Sequence, residues 1–145
     1  ILPVSFVAGR KDVIGTLTPG SEGSTFGGYP LASVVGTYAI KVLVDADLAS
    51  NARIRGAQLM SHYEELMSEF PDKIKDIRGK GLLTAFEMFD EKKLDGHIVS
   101  VELLKRGVYA KETHHSTVRI APALTIESHN IDNIAEHIRD VIKSL

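Results

Sequence analysis

The chain has 145 residues, of which 43% are hydrophobic and none is cysteine. The absence of cysteine excludes a disulfide framework and any thiolate metal site, and the hydrophobic fraction is sufficient for a core. A formal net charge of −2 without a long basic cluster argues against nucleic-acid binding. No stretch approaches the roughly 18 apolar residues of a membrane span.

The first third of the chain alternates short apolar segments with glycine-rich ones. Residues 2–8 are apolar and partly β-branched, which predicts a buried strand rather than a signal peptide. Asp12 is a candidate cap for a short helix over residues 13–17. Apolar residues then recur every three or four positions over residues 31–43, which predicts an amphipathic helix that begins at Pro30.

A second long helix follows the break around residues 45–47. Asp47 is its candidate cap and Pro71 ends it. Gly56 lies on its apolar stripe, where the missing side chain allows another element to approach closely. The rest of that stripe consists of Leu48, Ala52, Leu59, Tyr63, Leu66, Met67 and Phe70.

Four short strands are predicted after residue 72. They span residues 74–78, 82–89, 108–113 and 117–121. A helix over residues 94–106 separates the two pairs, and Gly107 is its candidate end. This order lacks the regular spacing of parallel βαβ units, so it predicts an antiparallel sheet with helices on one face.

Two helices complete the prediction for this part of the chain. The inward residues of the helix over 94–106 are predicted to be Leu94, Ile98, Val101 and Leu104. A final amphipathic helix has Ser128 or Asn130 as its candidate cap. Its apolar residues are Ile131, Ile134, Ala135, Ile138, Val141, Ile142 and Leu145.

The glycine-rich loop before Pro30 is a candidate anion site. Glycine lets the backbone approach a ligand, and Ser24 and Thr25 add two hydroxyls. The loop is neither a nucleotide P-loop nor a dinucleotide fingerprint, because it lacks Gly-Lys-Ser/Thr and G-x-G-x-x-G. The alternative is an ordinary surface loop, in which both hydroxyls cap the loop and the helix that follows it.

Arg119 is a candidate carboxylate ligand. Its planar guanidinium makes two parallel hydrogen bonds to a carboxylate, and it interrupts an apolar strand. Alternation places Arg119 and Ala121 on one face, with Val118 and Ile120 on the other. The alternative is an ordinary arginine on the outer face of a half-buried strand.

The histidines and two lysines are weaker candidates. His114 and His115 are expected to point to opposite faces of a strand, without a third metal ligand at a fitting spacing. Lys80 and Lys111 are expected to be surface lysines. His62, His129 and His137 are expected to be solvated helix or cap residues. The chain also has no G-x-S-x-G segment, so nothing indicates a serine hydrolase.

Two segments resemble class III pyridoxal-phosphate aminotransferases. The first is similar to G-S-T-[FY]-G-G-N-P-L and reads Gly23-Ser24-Thr25-Phe26-Gly27-Gly28-Tyr29-Pro30-Leu31. The second resembles the A-K-x-T-H and [IV]-R-[FI]-A-P-P-L segments of the ornithine aminotransferase group. It reads Ala110-Lys111-Glu112-Thr113-His114 and Val118-Arg119-Ile120-Ala121-Pro122-Ala123-Leu124. The resemblance covers essentially the whole chain, but only the C-terminal third of the family.

The resemblance implies a fold and a division of roles. The fold class is α/β, a C-terminal fragment of a fold-type I pyridoxal-phosphate enzyme with an α+β C-terminal domain. Residues 1–45 would be the end of the large cofactor domain, and residues 46–145 the small domain. Ser24 and Thr25 would bind the cofactor phosphate across a dimer, and Arg119 would bind the substrate α-carboxylate.

The resemblance also implies what the 145 residues lack. The family's Schiff-base lysine lies just upstream of Pro3-Val4-Ser5, so this chain would contain no catalytic residue and be inactive alone. It would need the N-terminal part of the enzyme, an amino acid and a 2-oxo acid. The cytoplasm is the expected compartment, or the mitochondrial matrix in a eukaryote.

Three residues depart from the family pattern. Tyr29 replaces an asparagine, Glu22 replaces a common histidine and is expected to point away from a phosphate, and Ala123 replaces the second proline.

Two alternative functions stay open. In the first, the amino donor of the whole enzyme is acetylornithine or another ω-amino acid. In the second, the chain is a non-catalytic module that binds an amino acid or a partner protein.

Overall fold

The chain divides into two units, Ile1–Ala46 and Asp47–Leu145. The computed structural model describes residue 2, residues 5–89 and residues 95–145. In the first unit the helices are α1 (Lys11–Ile14) and α2 (Pro30–Asp45). The second unit contains α3 (Leu48–Glu69), α4 (Gly96–Lys105) and α5 (Ser128–Ser144). Its strands are β1 (Ile74–Lys80), β2 (Leu83–Met88), β3 (Lys111–Thr113) and β4 (Thr117–Ile120).

The start of the first unit differs from the sequence prediction. Residues 2 and 5–8 are exposed and form no strand, so the predicted buried strand is wrong for the described part of that segment. A strand needs a neighbour for its backbone hydrogen bonds, and the described residues of this unit provide none. Helix α1 begins at Lys11 and not at residue 13 as predicted. Asp12 therefore lies inside its first turn, where it pairs with Arg10 instead of capping the helix.

Helix α2 begins at Pro30, as predicted, and the proline occupies a position where a missing N–H is not needed. None of its residues is buried. Its apolar side chains lie along one side and line an open surface, which we call the α2 apolar face. Its members are Val34, Val35, Tyr38, Ala39, Val42 and Leu43.

Helix α3 begins directly after Asp47, and its predicted apolar stripe is confirmed. Leu59, Tyr63 and Leu66 are almost completely buried. Asp47 adopts a left-handed conformation with φ of 46°, and its side chain makes no capping hydrogen bond. The position of the helix start was therefore predicted correctly, but the capping bond was not.

Gly56 brings α3 against the β1–β2 turn. A Cβ atom at Gly56 would lie 2.1 Å from the carbonyl oxygen of Gly81, which occupies that turn with a φ of +57°. The predicted close approach at Gly56 is confirmed. Only glycine fits at position 56 without moving the turn.

The sheet is antiparallel throughout, with strand order β1-β2-β4-β3. Phe86, Met88, Val118 and Ile120 point into the core. Helix α3 packs on β1 and β2, α4 packs on β3 and β4, and α5 packs on α3 and α4. The predicted antiparallel sheet with helices is confirmed. Strand β3 is shorter than predicted, since it begins only at Lys111.

A buried hydroxyl network joins α3 to the sheet. The rings of Tyr63 and Phe86 meet edge to face with centroids 5.6 Å apart. The Tyr63 Oη and Thr84 Oγ1 atoms lie 3.2 Å apart, and Thr84 Oγ1 donates to the carbonyl of Ile120 at 3.1 Å. Burial raises the pKa of Tyr63, so its phenol stays neutral.

Helix α4 buries a different side from the predicted one. Leu94 lies outside the described residues, and Ile98, Val101 and Leu104 are exposed, whereas Val99 and Leu103 are fully buried. The backbone N–H of Gly96 donates to the carbonyl of His115 at 2.6 Å and fixes the rotation of the helix. Apolar residues occur on both sides of α4, so periodicity alone selected the wrong one. Gly107 ends the helix as predicted, with a φ of +81°.

A polar seam joins the outer edges of α3 and α5. His62 Nε2 lies 2.9 Å from Asp132 Oδ1, and Gln58 Nε2 donates to the same oxygen at 2.7 Å. His62 was expected to be solvated, but its side chain is only 24% exposed because of this packing. Ser128 does not cap α5: Glu127 holds that position without a side-chain bond, and Ser128 donates to Gln58 instead.

Candidate functional site

The glycine-rich loop folds as consecutive turns against the start of α2. The N–H of Gly27 donates to the carbonyl of Ser24 at 3.2 Å, and the N–H of Tyr29 donates to that of Phe26 at 3.1 Å. Gly28 has a φ of +73°, a conformation that favours glycine. The loop therefore holds Ser24 and Thr25 in one turn, immediately before the helix.

A cavity of about 390 Å³ lies beside this loop. Ser24 lines it, whereas Thr25 follows in the same turn without being one of its lining residues. The N-cap residue Tyr29 makes no side-chain hydrogen bond, so the first turn of α2 has no side-chain cap. The other lining residues are Leu2, Ser5, Phe26, Gly27, Gly28, Tyr29, Ala32 and Ser33.

These donors suit a phosphate ester. Uncapped N–H groups at a helix N-terminus and serine hydroxyls are neutral donors that phosphate oxygens accept. The described lining residues include neither lysine nor arginine, so they would supply only part of the binding. A phosphate bound here would need a cation from another part of the protein.

Arg119 lies on the outer face of β4, and the alternation predicted for this strand is confirmed. Its Cα partners are Ala85 on β2 and Lys111 on β3. Among the residues that the structure describes, no hydrogen bond or ion pair involves its guanidinium. The small side chain of Ala85 leaves room beside it. We call this side of the sheet, opposite the helices, the open face.

A charged cluster occupies the open face next to Arg119. Glu87 Oε1 accepts from Lys75 Nζ at 2.7 Å, and Glu87 Oε2 accepts from Arg78 Nη1 at 2.9 Å. The bonds from Lys75 and Arg78 lower the pKa of the Glu87 carboxyl. Arg78 also pairs with Asp76, and its Nη2 donates to Thr117 Oγ1 at 3.4 Å. The cluster is balanced, with two cations and two carboxylates.

Sequence reasoning missed this cluster. The β1–β2 register is shifted between Ile74 and Asp76, and a regular ladder continued from the Ile77–Phe86 pair would place Lys75 opposite Met88 and not beside Glu87. Cross-strand pairing at Glu87 also depends on a register that the sequence does not state. The available signal was an excess of charged residues in β1.

His114 and His115 lie in the β3–β4 turn and not on a strand. Both have positive φ, 51° and 61°, so the expectation that they alternate along a strand is wrong. Lys111 Nζ lies 3.6 Å from Glu112 Oε1, and Lys80 is exposed. Within the described ranges no group of three His, Asp or Glu residues is arranged to hold a metal ion. No described helix has the length and apolarity needed to cross a membrane.

Comparison with known proteins gives consistent matches. The family described as "Aminotransferase class-III" matches residues 2–142. The chain is 37% identical to the mitochondrial ornithine aminotransferase of Arabidopsis thaliana, covering 99% of the chain and 30% of that protein. It is 37% identical to ornithine aminotransferase 1 of Staphylococcus aureus strain MRSA252, covering 99% and 35%.

Solved structures of aminotransferases are also similar to this chain. The ornithine aminotransferase of Toxoplasma gondii ME49 superposes with a TM-score of 0.85 at 35% identity, over 94% of this chain and 32% of that one. The acetylornithine aminotransferase of Elizabethkingia anophelis gives a TM-score of 0.84 at 32% identity, over 94% and 34%. The chain therefore spans about a third of the length of these relatives, corresponding to their C-terminal part.

Proposed function

This chain belongs to the class-III aminotransferase family, and we propose that it is the C-terminal portion of an ornithine δ-aminotransferase. The whole enzyme would transfer the terminal amino group of ornithine to 2-oxoglutarate, giving glutamate semialdehyde and glutamate. The observation that carries this proposal is the Arg119 guanidinium on the open face of the sheet, which has no partner within the described part of the chain and lies in a segment similar to that of the ornithine aminotransferases.

Arg119 would bind the α-carboxylate of the amino acid. Its planar fork donates two parallel hydrogen bonds, which fix the orientation of the substrate as well as its charge. Ala85 and Lys111 flank it on the neighbouring strands. The small side chain on one side leaves space for the ligand, and the ammonium on the other side raises the local positive potential.

Ser24 and Thr25 would bind the phosphate of pyridoxal phosphate. When bound, that cofactor supplies the electron sink and carries the amino group. The loop residues would hold its phosphate through hydroxyls and the N-terminal N–H groups of α2. We propose that they do so across a homodimer, so that each copy completes the site of the other.

The 145 residues alone would be inactive. In this proposal residues 1–45 are the end of a large cofactor domain and residues 46–145 form the small domain. The Schiff-base lysine would belong to the N-terminal part of the enzyme, which this chain would need as a partner. We place the enzyme in the cytoplasm, or in the mitochondrial matrix of a eukaryote, since its relatives include bacterial and mitochondrial proteins.

A second candidate substrate is acetylornithine. The high structural similarity to the acetylornithine aminotransferase of Elizabethkingia anophelis supports it. Both donors carry a carboxylate that Arg119 would bind. They differ beside that carboxylate, where acetylornithine has an amide in place of the α-amino group, and both keep the terminal amino group that is transferred.

A chimera tests the proposal. The 145 residues replace the matching C-terminal segment of the Arabidopsis thaliana ornithine aminotransferase, and amino transfer to 2-oxoglutarate is measured with ornithine and with acetylornithine. Turnover of ornithine is expected. Preference for acetylornithine would favour the second candidate, and a folded, cofactor-loaded chimera without any transfer would contradict the proposal.

Two variants of the chimera separate the roles of the site residues. Arg119→Lys keeps the charge but loses the fork, and charge-assisted hydrogen bonds contribute about 1.5–3 kcal/mol. We therefore expect kcat/KM to fall by about one to two orders of magnitude, with cofactor retention unchanged. Thr25→Ala should weaken cofactor retention first. If Arg119→Lys mainly released the cofactor, the carboxylate role would be wrong.

A further inference from the structure

We propose that Lys75 and Arg78 are positioning residues that hold Glu87 away from Arg119 and so keep the Arg119 guanidinium free for a carboxylate from outside the chain. This inference rests on the proposed role of Arg119 in binding a substrate carboxylate. It assigns a reason to the charged cluster of the open face, which no other part of the site explains.

Among the residues that the structure describes, Glu87 is the carboxylate best placed to neutralise Arg119. In the β2–β4 pairing, Glu87 is opposite Thr117 and Ala85 is opposite Arg119. Glu87 and Arg119 are therefore diagonal neighbours on one face of the sheet. Such neighbours lie about 7–8 Å apart at the backbone, which is within reach of long side chains.

Both oxygens of Glu87 are engaged by cations other than Arg119. Lys75 Nζ binds Oε1 at 2.7 Å and Arg78 Nη1 binds Oε2 at 2.9 Å, and both cations come from β1. The Glu87 side chain is only 20% exposed, although its partners are about half exposed. Each carboxylate oxygen therefore already has a cationic partner, which leaves Glu87 less available to Arg119.

Arg78 also extends across the open face. Its Nη2 donates to Thr117 Oγ1 at 3.4 Å, so the side chain reaches from β1 over β2 to β4. Thr117 is the residue directly opposite Glu87. The guanidinium of Arg78 is therefore anchored on the strand that carries Arg119, beside the path that the Glu87 carboxylate would have to take.

A purely stabilising role explains the cluster less well. Exposed ion pairs contribute little to folding. A carboxylate paired with Arg119, however, would compete directly with any incoming carboxylate for the same donors. The cluster's main consequence is therefore the availability of Arg119 and not the stability of β1.

The coupling between Glu87 and Arg119 tests this inference directly. In the 145-residue chain, the pKa of Glu87 is followed by carboxyl ¹³C NMR in four forms: the parent, Arg119→Gln, Lys75→Gln/Arg78→Gln and the triple variant. In the parent, removing Arg119 should barely change this pKa. In the Lys75→Gln/Arg78→Gln background, removing Arg119 should raise it by about 0.5 or more, because Arg119 then holds Glu87. Equal responses in both backgrounds would overturn the inference.

Glutarate binding supplies the second readout, observed at the Arg119 Nε–H by ¹⁵N NMR. The apparent Kd should increase about threefold or more in Lys75→Gln/Arg78→Gln, and adding Glu87→Gln should restore it. The control Lys105→Gln breaks an exposed pair with Glu102 on α4 and should change neither readout. Failure of Glu87→Gln to restore binding would also overturn the inference.

Different results would contradict the positioning role of Lys75 and Arg78 and the carboxylate-binding role of Arg119. If the Glu87 coupling appears as expected but the parent chain shows no glutarate response at Arg119, the positioning role stands and the carboxylate-binding role of Arg119 falls. The single variant Arg78→Gln repeats both measurements if the double variant does not fold. Its expected effects have the same direction and smaller size.

Discussion

Gly56→Ala perturbs the closest backbone contact in the second unit. The new Cβ atom would lie 2.1 Å from the carbonyl oxygen of Gly81, 2.3 Å from its carbonyl carbon and 2.7 Å from its Cα. Favourable contacts between carbon atoms need about 3.5–4.0 Å. All three neighbours are backbone atoms of a tight turn, so no side chain can rotate away to relieve the clash.

The expected cost follows from two opposing terms. Overpacking of a well-packed site costs about 1–3 kcal/mol. An alanine in the middle of a helix is about 1 kcal/mol more favourable than glycine. Because the clash is with backbone, we place it at the upper end, which gives a net destabilisation of about 2 kcal/mol. For a unit of this size that corresponds to a decrease in Tm of roughly 8–16 °C.

Urea and thermal unfolding, followed by far-UV circular dichroism, measure this change. Ser61→Ala is the matched control, because Ser61 is exposed on the same helix. We expect it to change the free energy of unfolding by no more than about 0.5 kcal/mol. If Gly56→Ala were as stable as the parent or more stable, α3 would not press on the β1–β2 turn and the packing described above would be wrong.

Three further variants test other features. Tyr63→Phe removes the buried hydroxyl that bonds to Thr84 and should lower the urea-unfolding free energy by about 1 kcal/mol; no loss would mean that the bond is not formed. The chain alone should self-associate through the α2 apolar face, and Tyr38→Glu should reduce this in light scattering; a strictly monomeric parent at high concentration would contradict it. Hydrogen bonds from His62 and Gln58 lower the pKa of Asp132, so their contribution to stability is present above its ordinary pKa and is lost as the pH falls through the lowered one. Asp132→Asn should therefore show a smaller decrease in the urea midpoint between neutral pH and about pH 3, and an unchanged decrease would contradict the pairing.

The sequence predicted best where a pattern is long or strictly alternating. Helix α3 was placed correctly because its apolar stripe continues over six turns, and the orientation of Arg119 followed from its apolar neighbours in β4. The second unit's antiparallel sheet was also predicted correctly from the order of its elements.

The failures have identifiable physical causes. Residues 2–8 were predicted as a strand, but a strand exists only with a partner, which local sequence does not specify. Helix α4 has apolar residues on two sides, and the contact of Gly96 with His115 selects between them. The Glu87 cluster depends on cross-strand register and on an irregularity in β1, and both are tertiary features.

The buried hydrophobic residues are distributed very unevenly along the chain. Among the described residues, all those of the core lie at Leu48 or beyond, and none lies in α2. Local opening free energies follow burial, so amide hydrogen exchange should divide the chain at the same boundary. The amides of α3, β2 and α5 should exchange only when the second unit unfolds as a whole. The amides of α2 should exchange through local fraying, because its sixteen residues form a marginal helix without buried side chains. A surface that covers α2 would make the helix part of a core and slow this exchange.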